Sequence, residues 1–182
     1  FQLENLIEDL FSTRTALAQA RHDPLTGLPN RAMFEEMLHK ACGSALECGS
    51  GLALLLVDFD RFKEVNDSLG HAAGDELLVQ GAARLQGCVG DRGLIGRMGG
   101  DEFAVFLDRA VEERTALAMG ARLIQGMAQL QWDGQAVGAS CSIGACTCRR
   151  TGLPYERLYQ ETDRVLYSIK RSGKGRCGFG MR

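Results

Sequence analysis

No apolar run in this chain approaches the roughly 18–20 residues that a membrane-spanning helix needs, so the chain itself is not expected to cross a bilayer. No signal-peptide pattern opens the sequence either. The sequence starts at Phe1 without the basic, apolar and small-residue succession of a signal peptide, and reads as a piece of something longer. Excess charge of one sign is also absent. Lys and Arg number 21 against 23 Asp and Glu, a net charge of −2, which excludes a general nucleic-acid-binding surface. There is no disulfide framework either, because the seven cysteines are odd in number and irregularly spaced, and a reducing cytoplasm is the expected setting. Their densest cluster, Cys141, Cys146 and Cys148, lacks the paired C-x₂-C knuckles of structural zinc sites and reads as small buried residues of a strand. His22, His39 and His71 are scattered, with a structural role expected for His71. No internal repeat and no low-complexity segment is present.

What is present concentrates at one turn. Leu94–Met98 and Phe103–Leu107 are short, apolar and strand-like, and between them run Gly99, Gly100, Asp101 and Glu102. The Gly-Gly pair supplies positive φ and no side chains, so a bulky ligand can lie against the backbone. Two adjacent carboxylates repel each other, and a divalent cation would compensate them. On this hairpin alone, a solvated acidic tip is an equal alternative.

A second acidic strand end lies upstream. Leu52–Val57 is a continuous apolar run, as expected of a strand covered on both faces, and it stops at Asp58-Phe59-Asp60. Mg²⁺ is held by one or two carboxylates, a carbonyl, water and substrate phosphates. Asp58 and Asp101 are therefore a specific metal-ligand pairing. The alternative is that Asp58 and Asp60 cap the next helix.

Along the chain, Leu3, Leu6, Leu10, Thr13, Leu17 and Ala20 recur at steps of three and four, the seam of a short coiled coil over residues 1–21. The alternative is a helix packed on its own domain. Asp23-Pro24 stops it, since a residue before proline avoids the α region. Helices are then expected over about 31–42, 74–86, 112–129 and 155–171, and strands over about 52–57, 94–98, 103–107 and 136–147, with a turn through Asn66–Gly70. That order contains βαββαβ, so an α+β sandwich with a ferredoxin-like core is expected.

Asp23-Pro24-Leu25-Thr26-Gly27-Leu28-Pro29-Asn30-Arg31, the string Val57 to Asp67 with Gly70-His71 and Gly74-Asp75, and Gly99 to Phe103 together strongly resemble the GGDEF diguanylate cyclase domain. The resemblance runs from about Asp23 to Arg176, and several separate motifs fall in order at family-like spacing. It implies residues 22–182 as the cyclase domain, a fold related to nucleotide cyclase and polymerase palms, and residues 1–21 as a dimerising signalling helix. It implies condensation of two GTP into cyclic di-GMP, with Mg²⁺ (Mn²⁺ as an alternative), by a homodimer whose two sites face each other.

Residue by residue, the resemblance implies Asp58 and Asp101 as side-chain metal ligands and Phe59 as a carbonyl ligand. Asp101 and Glu102 are the candidates for assisting 3′-hydroxyl deprotonation, with the role undivided between them. Backbone N–H groups of the turn Phe59–Lys63, including Phe62 and Lys63, would cradle phosphates. Gly99 and Gly100 would let the substrate approach. Asn66 and Asp75 would read guanine, and Lys170 and Lys174 would neutralise the triphosphate. Lys174 stands where many relatives carry Arg, so bidentate contact is not expected there. The family's Arg-x-x-Asp product-inhibition motif would fall on Gly90–Gly93, which lacks both residues; Arg92 is displaced.

The Asp23–Arg31 variant resembles domains joined to a C-terminal EAL phosphodiesterase, and the ending at Arg182 allows such a continuation, with a sensor expected upstream. A non-catalytic GTP-binding module regulating that neighbour is the alternative to catalysis. A scaffold domain binding no nucleotide is a third reading, opposed by Asn66, Asp75 and Lys170.

Overall fold

The computed structural model describes residues 20–48, 50–109, 112–148 and 154–180, together with Ile7. The coiled-coil expectation for residues 1–21 falls almost wholly outside the described residues.

The strand β1 (Leu52–Asp60) is the middle of a five-stranded sheet of order β2-β3-β1-β6-β7. It pairs antiparallel with β3 (Glu102–Asp108) and β6 (Ser140–Cys148). The hairpin partner of β3 is β2 (Gly93–Gly99), and β7 (Cys177–Gly180) adds in parallel to β6. Ordered as β6-β1-β3-β2, the four main strands form the expected ferredoxin-like core.

Alternation along β1 sorts its side chains to two faces. Ala53, Leu55, Val57 and Phe59 point into one core with Leu77, Leu78 and Leu85 of α3 (His71–Val89) and Leu123 and Met127 of α4 (Glu113–Met127). Leu52, Leu54 and Leu56 point into the other with Phe34 and Leu38 of α1 (Arg31–Cys48) and Leu158 and Leu166 of α5 (Tyr155–Arg171). Both faces are covered, which is why this strand reads as an unbroken apolar run.

Three expectations are corrected, and one strand lies where none was expected. Asn66–Leu69 is not a turn but the end of a helix, α2 (Phe62–Leu69); the break is the single residue Gly70 at φ 87°. The helix was hidden because it is short and only Phe62, Val65 and Leu69 mark its apolar face. The strand expected from residue 136 starts at Ser140, and before it stands a small hairpin, β4 (Gln131–Trp132) and β5 (Gln135–Ala136). Its turn, Asp133-Gly134, has φ of 50° and 74°, the Asp-Gly signature of a two-residue hairpin. β7 was not anticipated at all, since Cys-Gly-Phe-Gly carries no strand pattern of its own. The first helix runs six residues past its expected end at Cys42, to Cys48.

Candidate active site

The ends of β1 and the β2–β3 hairpin meet at one edge of the sheet. Asp58 lies across from Glu102, and the Phe59 N–H donates to the Asp101 carbonyl at 3.3 Å. The structure thus brings Asp58, Phe59, Asp101 and Glu102 together as anticipated. Their placement is not equivalent. Asp101 is half-buried in the turn, whereas Glu102 is exposed and already the first residue of β3, not part of the tip.

Gly99 and Gly100 have φ of 140° and 53°, which the turn requires and which side chains resist. The turn does not hold itself. The Arg97 guanidinium donates to the Gly100 carbonyl from Nε at 3.0 Å and Nη2 at 2.7 Å, and from Nη1 to both Asp23 oxygens at 3.0 Å. Arg31 Nε donates to the Met98 carbonyl at 3.2 Å. Burial pushes the Asp23 carboxyl upward, but the Thr26 hydroxyl and amide and the Arg97 charge hold it below the ordinary carboxylate range. Asp23, Thr26 and Arg31 lie inside the Asp23–Arg31 motif, where no role was expected of them, and Arg97 lies outside every motif. Asp23 followed by Thr26 at i+3 was a local signal for a side-chain-closed turn; Arg97 and Arg31 gave none, because their targets are distant backbone carbonyls.

Asp58 is only 6 % exposed. Burial pushes its carboxyl up to about 6, against the pull of Lys170, with the Asp101 and Glu102 charges adding to the rise. Lys170 Nζ lies 2.6 Å from Asp58 Oδ2. Lys170, expected on phosphate, has its ammonium against the Asp58 carboxylate at the rim of the same corner. Neither Asp58 nor Asp60 caps α2, whose N-terminal flank is Arg61 in the left-handed region with no side-chain cap. The phosphate cradle is also narrower than expected. Phe59 N–H is spent on Asp101, so the turn reduces to Arg61 and the opening residues Phe62 and Lys63 of the helix.

Two carboxylates and a backbone carbonyl around a buried, acid-rich corner already visited by a cation suit a small hard ion such as Mg²⁺. Among the described residues no group of three or more His, Cys, Asp or Glu side chains is arranged to hold a metal ion, so the corner offers two carboxylates and a carbonyl and leaves the other positions to water and substrate phosphates.

Asn66 on α2 lies flat against α3. A Cβ placed on Gly74 would stand 1.9 Å from Asn66 Oδ1, so only glycine lets Asn66 sit beside Asp75. Asp75 is exposed next to it. The largest cavity near this corner, about 670 Å³, lies on the other flank of α2, lined among others by Phe62, Val65, Trp132, Arg61 and Lys174. Lys63, Asn66, Asp75 and Lys170 are not part of that lining. The structure therefore gathers the acidic corner and Lys170, sets Asn66 and Asp75 in the α2–α3 groove, and puts Lys174 on the opposite flank.

The raised pKa of Asp58 makes a stability prediction. A carboxyl that holds its proton more tightly when folded stabilises the fold at low pH, and that contribution is lost as pH rises from about 4 through about 6. In chelator, Asp58→Asn should therefore raise the melting temperature at pH 7.5 by an amount equivalent to roughly 1–3 kcal/mol, and the gain should vanish near pH 4. A lower melting temperature at pH 7.5 would mean that the Lys170 pair outweighs burial.

The family model "Diguanylate cyclase, GGDEF domain" matches residues 20–176. Diguanylate cyclase TpbB of Pseudomonas aeruginosa is 41% identical over 177 residues, covering 96% of this chain and 41% of that protein. The solved GGDEF domain of TpbB superposes with a TM-score of 0.82 at 39% identity, covering 88% of this chain and 94% of the other. The coiled coil and GGDEF domain of DgcB from Caulobacter crescentus, solved with cyclic di-GMP, gives 0.86 at 26% identity, covering 98% and 94%. The chain belongs to the diguanylate cyclase GGDEF domain family. It spans less than half the length of the curated relative it matches.

Proposed function

We propose that this domain condenses two GTP molecules into cyclic di-GMP with release of two pyrophosphates, as a homodimer and with Mg²⁺. The observation that carries the reading is the meeting of Asp58, the Phe59 carbonyl and Asp101 at the glycine turn, with Lys170 in contact with the acid. In each half-reaction the 3′-oxygen of one nucleotide bonds to the α-phosphorus of the other. The bond from that phosphorus to the bridging oxygen breaks, and pyrophosphate takes the electron pair. The 3′-hydroxyl proton passes to a carboxylate within reach, Asp101 or Glu102.

Asp58, Phe59 and Asp101 would hold the ion, which when bound supplies charge neutralisation at the phosphates. Phe62 and Lys63 offer N–H groups at the start of α2, where the helix dipole favours an anion. Lys170 and Lys174 add positive charge. Gly99 and Gly100 leave room above the turn. Asn66 and Asp75 read the base; a carboxylate accepting from guanine N1–H and N2–H₂ leaves adenine unmatched. Residues 1–21 serve as the dimerising helix ahead of residues 22–182, with a sensor upstream, in the cytoplasm. Among the described residues no helix is long and apolar enough to cross a membrane.

One assay tests this reading. GTP with and without Mg²⁺ is followed by chromatography over a dilution series, with equilibrium binding in parallel. Cyclic di-GMP formed only with Mg²⁺, at a specific activity that falls on dilution, is expected. Binding without product would assign a regulatory GTP module instead.

Product feedback through a separate site is expected to be absent. Gly90 and Gly93 occupy the positions of the inhibitory Arg and Asp. Arg92 is engaged elsewhere, closing the end of α3 by donating to the Cys88 carbonyl at 2.7 Å and the Val89 carbonyl at 3.4 Å. Micromolar cyclic di-GMP should inhibit only in competition with GTP. Calorimetric binding of cyclic di-GMP to protein saturated with a non-reacting GTP analogue would contradict this.

A further inference from the structure

The strand β1 ends one residue past the acidic corner, at Asp60, and no role has so far been given to that carboxylate. It accepts three hydrogen bonds. Ser142 Oγ donates to Oδ1 at 2.7 Å, Ser140 Oγ to Oδ2 at 2.9 Å, and the Gly175 backbone N–H to Oδ2 at 2.9 Å. The sheet register makes the two serines available. Ser140 lies directly across from Asp60 and Ser142 two residues on, so both point to the same face. Gly175 comes from a different place, the loop after α5.

That loop is conformationally demanding. Gly173, Lys174 and Gly175 have φ of 126°, 57° and 62°, three successive residues in the left-handed half of the map. Lys174 bears a side chain, and such a residue keeps this conformation only where its surroundings over-determine it. One constraint is local: the Lys174 N–H donates to the Ile169 carbonyl at the end of α5, at 3.2 Å. The other is long-range: the Gly175 N–H donates to Asp60 Oδ2 at 2.9 Å, across 115 residues of chain, and to Ser142 Oγ at 3.3 Å. The same Asp60 precedes Arg61, also left-handed at φ 58°, which starts the helix offering Phe62 and Lys63. The carboxylate therefore ties together the two segments that the proposed function assigns to phosphate: the start of α2 and the lysine loop.

We infer that Asp60 is a positioning residue for the triphosphate, acting through Lys174 and not by touching the nucleotide. This rests on the proposed GTP reading and deepens it. With Asp60 in place, Lys174 is held at a set distance from the N–H groups of Phe62 and Lys63. Without it, the Gly175 N–H keeps only its longer contact to the Ser142 hydroxyl, the Gly-Lys-Gly loop regains part of the freedom its glycines allow, and the cation is less closely aimed. The nucleobase, read in the α2–α3 groove, should not sense the change.

Calorimetry with α,β-methylene GTP and with GMP, on the whole chain, tests this. Asp60→Ala should weaken the triphosphate about tenfold, a loss of one charge-assisted contact, and leave GMP unchanged. Lys174→Ala should do the same, and the double variant should be no weaker than Lys174→Ala, because the two residues act as one unit. Asp60→Asn should restore most of the affinity: its amide oxygen can still accept from Gly175 and its N–H₂ can donate to the Ser142 hydroxyl. The Gly175 amide resonance should shift in Asp60→Ala and recover in Asp60→Asn. If Asp60→Ala does not fold, Ser142→Ala is read by the same criteria.

Equal losses for GMP and triphosphate, or losses that multiply in the double variant, would overturn the inference. Weakening by Lys174→Ala with none from Asp60→Ala would overturn it while leaving the phosphate site standing. Triphosphate binding unchanged in Lys174→Ala would remove the phosphate assignment itself, and the inference with it.

Discussion

Asp101→Ala is expected to lower turnover by about 10³-fold or more, equivalent to about 4 kcal/mol of barrier, while GTP still binds. The residue is asked to do two things from one position. Its side chain stands in the half-buried turn beside Asp58, and its carbonyl accepts the Phe59 N–H, which locks the hairpin tip to the end of β1. Alanine preserves the carbonyl and hence the tip. What disappears is the carboxylate proposed to ligate the metal and accept the proton, so the loss should fall on kcat more than on binding. Asp101→Asn separates the two duties, because an amide keeps a neutral oxygen ligand but cannot take a proton at neutral pH. Product formation by Asp101→Ala at the wild-type rate, followed by chromatography, would sink the assignment of the corner as the reaction centre.

Arg97→Ala is expected to cost about 3 kcal/mol of stability, in the range for breaking a largely buried ion pair, and to reduce turnover with it. The side chains of Arg97 and Asp23 are 12% and 17% exposed. Removing the guanidinium leaves the Asp23 carboxylate with only Thr26 and strips the Gly100 carbonyl of both donors. The glycine turn then keeps only the Arg31 contact to the Met98 carbonyl, and the two φ-positive residues regain much of their freedom. The depressed pKa of Asp23 sets the pH sign. Its contribution is present above the ordinary carboxylate range and is lost as pH falls through the lowered value, so wild type and Arg97→Ala should converge in acid. Chemical denaturation at pH 7 and pH 3 measures both. A gap that persists undiminished at pH 3 would place the stabilisation in the backbone contacts and not in the ion pair. Asp23→Asn, which keeps a hydrogen-bonding shape without charge, should fall between the two.

Some of this molecule could be read directly from its residues. Leu52–Val57 announced a strand covered on both faces, because no other environment accepts six consecutive apolar side chains in extended backbone. Gly99-Gly100 announced a positive-φ turn, since glycine alone enters that region without strain. The acidic ends of β1 and of the hairpin announced themselves as chemically unusual, because like charges at close range need compensation, and the fold brings them to one corner. These are local properties, carried by a residue and its near neighbours in sequence.

The rest was decided by packing. α2 reads as a polar turn and is helical because Phe62 and Val65 have a core to lie on. β7 carries only Cys-Gly-Phe-Gly and becomes a strand because β6 offers it an open edge. Arg97 and Arg31 look like surface cations in the sequence; they support the hairpin because the fold sets the Gly100 and Met98 carbonyls within their reach. Lys170 meets Asp58, and Asp60 meets Gly175, across more than a hundred residues of chain. Such pairings carry no periodicity and no spacing rule. They exist only once burial of both faces of the sheet has fixed where each strand ends, so the chain's own residues named the chemistry and the tertiary structure decided what holds it in place.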